Sequence, residues 1–488
     1  MRGDSTDAEA ALRRRTWAAA IAVAAGLALV GAAIWALRPR SVPIEVSQQT
    51  TYITTPTRAD GWVDYLEAVD WMRRASLDAG GTNAAPALLR AYGPGLLPRG
   101  VDRAALLARL GVHDLPTSTT LKPLRTVTAG EGRPGPELPA ETTDWLWHRC
   151  HTKGHKPPSL GQIREWLADS QAAFSNLREA SRAASLYVPI ARERGLGRDF
   201  ARIDPRALAD IEDAFRCRAG VELLQGDVAA SWDDIDALWK LGQMAARSAE
   251  PGEYVIAGGM WDAAMWGTVE IAMHPGVGAD RLATMRAAVE AVSFAPATES
   301  AMIRRLQALD AYGTPRIVAQ RPGHESGTPM AANAGVARVL MMLNEQFDAL
   351  DAALQFKDPR RRRARVEQVW LAATFHGEDE SQAELRGAVV EAGRPMLGTE
   401  IGAMSSQRLT SIALALVAWR RQKGAFPASL AELGATPKDP GSGEPFIYKP
   451  GERQFTLYGI GDDGRDEGGA PGNDVAVTAE LPPSLPTP

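Results

Sequence analysis

Residues 16–37 carry no charged side chain and follow directly on Arg13, Arg14 and Arg15. A bilayer core of about 30 Å takes roughly 20 apolar residues in helix, because only a helix satisfies each backbone group without water. The run predicts a transmembrane helix, with residues 1–15 as a cytoplasmic tail held inside by the arginine triplet. Trp17 and Trp35 stand at its two ends, where aromatic belts form. Everything beyond Arg38 is then expected outside the cytoplasm, with the lipid bilayer as a partner through residues 16–37. A cleaved signal peptide is the rival reading, since it too begins with a basic region. Its apolar core runs about 7–15 residues, however, shorter than this one, and no convincing A-x-A site precedes Arg38.

The rest of the chain has material for two or three domains. Its 45% hydrophobic and 23% charged residues suit a globular body able to bury a core. A net charge of −5 argues against a nucleic-acid partner, which requires a basic surface to neutralise phosphates. The local exception, Arg360, Arg361, Arg362, Arg363 and Arg365, follows Asp358-Pro359 and reads as a solvated helical face. The two cysteines, Cys150 and Cys217, are too few for a disulfide scaffold but allow one bridge outside the cytoplasm.

Residues 38–59 are polar and hold Pro39, Pro43 and Pro56, which reads as a stalk, linker or edge strand. A helical body is expected over residues 60–403. Trp62, Tyr65, Leu66, Val69 and Met72 recur at spacings of three and four, giving one apolar face. Shorter helices are expected over 83–92 and 102–110, a long loop over 114–145, and one strong helix over 163–184. Residues 205–224 and 228–246 read as two helices separated by Gly226-Asp227. The glycine tolerates left-handed φ and the aspartate caps the second helix, with Ala219, Leu223, Ala230, Ile235 and Leu238 in the seam. This pair resembles a single tetratricopeptide-type hairpin, without the 34-residue recurrence of a repeat array. Residues 312–335 form a second irregular stretch. Further helices are expected over 336–354, 360–375 and 404–423, the last ending at Gly424.

A separate α+β module is expected over 404–478, before a disordered tail at 479–488. Residues 408–424 lead into Gly424-Ala425-Phe426-Pro427-Ala428-Ser429-Leu430, then Asp439-Pro440, then Gly461-Asp462-Asp463-Gly464. This order is similar to the C-terminal half of type II secretion major pseudopilins, where a helix leads through G-x-[FY]-P-x-S-L and D-P to a small sheet closed by G-x-D-G. The resemblance implies a bacterial cytoplasmic (inner) membrane setting, and calcium as cofactor, with Asp463 and Asp474 as ligands. Calcium takes six to eight hard oxygens, which a carboxylate-rich loop supplies. An Asp-Gly turn between strands is the plainer reading of the same residues. The chain departs from the family pattern at Gly459, where a serine is usual, and in its N-terminus, which lacks the pseudopilin start. The helical body resembles uncharacterised bacterial proteins with a single membrane span.

The sharpest constellation of chemistry is His148, Cys150, His151 and His155. In a helix the three histidines share a face at i,i+3 and i,i+4, and zinc or copper accepts such N/S ligands. Gly154, Pro157 and Pro158 oppose a helix there, and Arg149, Lys153 and Lys156 repel a cation. No G-x-S-x-G, P-loop, H-E-x-x-H or C-x-x-C is present. The expectation is a mainly α, single-pass membrane protein: a non-enzymatic scaffold whose extracytoplasmic body of paired helices binds a protein partner. The alternatives are a metal-dependent extracytoplasmic hydrolase using His148, His151 and His155, and an accessory component of a secretion or envelope assembly.

Overall fold

The computed structural model describes residues 41–59, 61–78, 80–97, 102–113, 115, 121–124, 160–189, 203–247, 251–294, 297–313, 330–375, 380–460, 465–469 and 474–480. The expected membrane helix at 16–37, His148, Cys150, His151, His155, Asp463 and most of the 114–145 and 312–335 stretches lie outside them. The chain is mainly helical and ends in a small antiparallel sheet.

The first half builds a layer of short helices: α1 (Tyr65–Asp78), α2 (Ala85–Tyr92), α3 (Arg103–Arg109), α4 (Leu160–Asp169) and α5 (Gln171–Ser181). The helix expected over 163–184 is two helices, broken at Ser170, which is buried in the non-helical N-cap position of α5. The apolar face carries on across the break, since Trp166 and Phe174 meet edge to face at 5.9 Å. Trp166 also donates through Nε1 to the Lys122 carbonyl at 2.9 Å, which ties α4 to residues 121–124.

Next come α6 (Pro205–Leu224) and α7 (Val228–Arg247), the hairpin read from the sequence. Gly226 adopts φ +80°, and Asp227 Oδ1 accepts from the Ala230 amide at 3.0 Å. Ala219, Leu223, Ile235 and Leu238 fill the seam as expected, whereas Ala230 is half-exposed. The third long helix, α8 (Pro251–Met273), packs on both. Met260, Trp261 and Met265 point inward, and Gly242 of α7 permits the approach. A Cβ there would sit 2.7 Å from Trp261 Nε1.

Helices α9 (Ala279–Glu290), α10 (Ala297–Gly313), α11 (Ala334–Leu354) and α12 (Pro359–Phe375) surround α13 (Glu380–Lys423), which runs 44 residues. The helix expected over 404–423 begins 24 residues earlier, at Glu380, and runs through Pro395. It packs against α12, α11, α10 and α8. The helical and α+β regions expected to part at residue 404 therefore share one continuous helix. Leu397–Lys423 is also long and apolar enough to cross a membrane by composition, but it is mostly buried as the axis of the core.

The expected stalk is bound to the body. β1 (Ser41–Ile44) pairs antiparallel with β2 (Met330–Asn333), Thr51 is buried, and the Arg305 guanidinium lies 3.5 Å from the centre of the Tyr52 ring.

At the C-terminus, β3 (Ile447–Pro450), β4 (Gln454–Gly459) and β5 (Val475–Glu480) form a sheet in the order 3-4-5. Phe426, Phe446, Phe455 and Leu457 are buried between it and α13, with Leu430 and Tyr448 half-buried against them, as the apolar pattern predicts. Asp439 is buried and bonded by the Gly441 and Ser442 amides at 3.0 Å and by Ser442 Oγ at 2.7 Å. Gly459 is small for a reason: a Cβ there would stand 2.8 Å from Asp439 Oδ1.

Candidate functional site

An open cleft of about 630 Å³ lies between α4–α5 and α6. Its floor is built from buried charge. Asp234 of α7 is completely buried, and Arg218 of α6 forks onto its carboxylate through Nε and Nη2. Arg178 of α5 reaches the same Asp234 Oδ1 from the other side, at 3.0 and 2.9 Å. One buried carboxylate thus gathers two guanidinium groups from different helices and fixes their orientation. The Arg218 guanidinium also lies flat on Phe174, 3.8 Å from the ring centre.

Glu222, one turn after Arg218, is the second acid of the site. Its Oε1 stands 3.5 Å from Arg218 Nε and 3.9 Å from Arg178 Nη2, beyond hydrogen-bonding length. Its Oε2 is buried and has no hydrogen-bond partner. Burial and the neighbouring Asp234 push the Glu222 carboxyl up to about 8, against the pull of Arg218 and Arg178.

Around this floor the cleft is rimmed by Arg164 of α4 and Arg182, just past α5. Both are exposed, and among the described residues neither has a carboxylate partner. Gln171, Ser175 and Gln225 add neutral polar groups, while Leu167, Ala168 and Val221 supply apolar wall. The chemistry is that of an anion cradle, with two guanidinium groups locked in place and two more free at the rim.

The sequence reading did not find this site. Its signals are weak in one dimension: Arg178 and Arg182 at i,i+4, Arg218 between the buried Cys217 and Ala219, and Asp234 interrupting the apolar Trp232-to-Ile235 face. Each looks like surface polarity until α5, α6 and α7 are brought together.

Of the expected metal ligands, Asp474 alone is described. It is buried, and its Oδ2 accepts from the Glu467 amide at 3.1 Å and the Gly469 amide at 2.8 Å. Its Oδ1 has no partner. One free oxygen falls short of the six to eight that calcium takes. Lys449 moreover places its ammonium 3.1 Å from the Gly468 carbonyl, where a cation would compete. The described residues do not by themselves form a calcium site, and among them no group of three or more His, Cys, Asp or Glu is arranged for a metal. Cys217 is buried on α6 and disulfide-bonded. The sequence contains a single other cysteine, Cys150.

Comparison with protein-family models, with characterised proteins and with solved structures finds no match to this chain.

Proposed function

We propose that this is a membrane-anchored, extracytoplasmic interaction protein whose helical body docks a protein partner in the arginine-lined cleft. The cleft is the observation that carries the reading. Four arginines converge on it, and two of them keep their charge uncompensated at the rim. Such a surface suits recognition of an acidic segment.

The location rests on two supports. Residues 16–37 have the length and composition of a membrane helix after a basic triplet. The disulfide at Cys217 agrees with an oxidising compartment, since such bonds are rare in the cytosol. The resemblance of residues 407–477 to the pseudopilin sequence pattern supports an envelope setting.

Two experiments test the proposal. Protease added to spheroplasts should digest the chain beyond residue 38 while leaving the tail inside; full protection of the body overturns the topology. A photo-crosslinker in place of Ser175, in the full chain in its native membrane, should trap a partner through the cleft. Adducts that persist unchanged in Arg164→Ala/Arg182→Ala would rule out the cleft as the docking site.

A further inference from the structure

Resting on the reading of the cleft as a docking site, we propose that its ligand is a pair of neighbouring carboxylates on an acidic peptide segment, taken up together with one proton on Glu222. The geometry behind this is a competition between acids. Arg178 and Arg218 already face two carboxylates, those of Asp234 and Glu222, and the two acids are held very differently. Asp234 is fully buried and tightly bonded to both arginines. Glu222 touches neither at hydrogen-bonding distance and leaves Oε2 buried without a partner. Asp234 is therefore the permanent counter-ion, and Glu222 is the group that an incoming carboxylate can replace.

Protonation changes what Glu222 does. Ionised, it cancels the charge that Asp234 leaves over on the two guanidinium groups, and it repels an anion entering beside it. Neutral, it releases that charge to the ligand and no longer repels it. Arg178, Arg182 and Arg164 lie on the α4–α5 side and Arg218 on α6. Asp234 is on α7, with Asp233 acting on Arg178 from farther off. Among the described residues no histidine lines the cleft. A proton entering with the ligand has Glu222 as its acceptor, drawn from solvent at the open mouth.

Two carboxylates fit better than one. The locked pair, Arg178 and Arg218, can hold the first, and the free rim pair, Arg164 and Arg182, the second. Leu167 and Val221 offer apolar contact to the carbon stems of such side chains.

Calorimetric titration of the full chain in detergent tests this, using a short poly-glutamate peptide and, as a control of fixed charge, inorganic sulfate. Both probes stay ionised across the range, so pH dependence belongs to the protein. The peptide Kd should weaken about tenfold between about pH 7 and about pH 9, with uptake of about one proton per peptide near pH 8.5 in buffers of different ionisation enthalpy. Glu222→Gln should bind at both pH values with equal affinity and no proton uptake. If that variant fails to fold, the wild-type proton count still decides. Peptide binding that is lost in Arg164→Ala/Arg182→Ala but takes up no proton overturns the coupling and leaves the docking reading intact. Sulfate binding without peptide binding overturns the acidic segment as ligand. Binding of neither probe at any pH overturns this inference and the docking reading together.

Discussion

Among the described residues Asp234 is the one fully buried counter-charge of Arg218, whose guanidinium edge it accepts while the Phe174 ring covers the guanidinium. The same carboxylate holds Arg178 of α5, so a single aspartate joins α5, α6 and α7. Asp234→Ala leaves two partly buried cations with only the more distant Glu222 beside them and should cost about 3–5 kcal/mol of stability. Arg218→Lys keeps the charge but loses both the fork and the stacking on Phe174. It should cost about 1–3 kcal/mol, measured by denaturant unfolding of the purified chain. A change near zero in both would show that the cluster orients side chains without holding the helices together.

The buried acids give the protein an alkaline weakness. Burial, with Asp213 and Asp262 nearby, pushes the Glu212 carboxyl up to about 7 against the pull of Arg216. Glu222 is raised further, to about 8. A carboxyl with a folded pKa above its unfolded value favours the fold at low pH. That contribution is lost as pH rises from the unfolded value through the folded one. Melting temperature should therefore fall between about pH 5 and pH 8, in a window set by these two groups. Glu212→Gln should leave stability at about pH 5 unchanged and raise it by about 1–3 kcal/mol at about pH 8.5. A flat pH profile in the wild type would contradict the direction of both shifts.

Cys217 lies at zero exposure on α6. Its disulfide should resist thiol reagents until the chain is unfolded, and should survive as a two-proton mass deficit in protein purified without reductant. Reduction removes a cross-link that limits the unfolded ensemble, and should lower stability by roughly 2–5 kcal/mol. Cys217→Ser adds a hydroxyl without a disulfide partner and should destabilise at least as much. Ready labelling of the native oxidised protein by maleimide would refute the bond.

How much was legible in the sequence depended on how local the determining physics was. The α6–α7 hairpin was readable almost to the residue, because Gly226 and Asp227 encode the turn and the apolar period of 3.6 encodes the seam. The C-terminal core around Phe426, Phe446 and Phe455 was readable for a similar reason, with alternation on short strands between turn residues. The start of α13 was not. Pro395 disfavours a helix interior in one dimension, whereas the helix packs along its length against α8, α10, α11 and α12. The cleft was invisible for the same cause. Arg164, Arg178 and Arg218 are unremarkable residues until Asp234 draws two of them together.

The docking of residues 45–53 makes the same point and yields the last expectation. Tyr52 adopts φ +63°, a left-handed conformation that costs a tyrosine about 1–2 kcal/mol. What holds it is Arg305, almost completely buried on α10, whose guanidinium stacks on the Tyr52 ring. Arg305 is fixed in turn by Asn344 Oδ1 at 3.0 Å, the Asn344 carbonyl at 3.1 Å and Asp348 at 2.8 Å. Asn344 completes the circuit by donating to the Gln49 carbonyl at 2.9 Å. Arg305→Met removes the stacking and every one of these charged hydrogen bonds, and should destabilise by roughly 1.5–3 kcal/mol. Tyr52→Ala keeps the strained backbone and loses the ring, so the segment should detach while the helical core stays folded. Limited proteolysis then separates the two effects. Cleavage within residues 45–59 should accelerate in both variants, with a large drop in melting temperature for Arg305→Met alone. Equal resistance of wild type and Tyr52→Ala would mean that the β1–β2 pairing, and not the Arg305–Tyr52 contact, keeps this segment on the body.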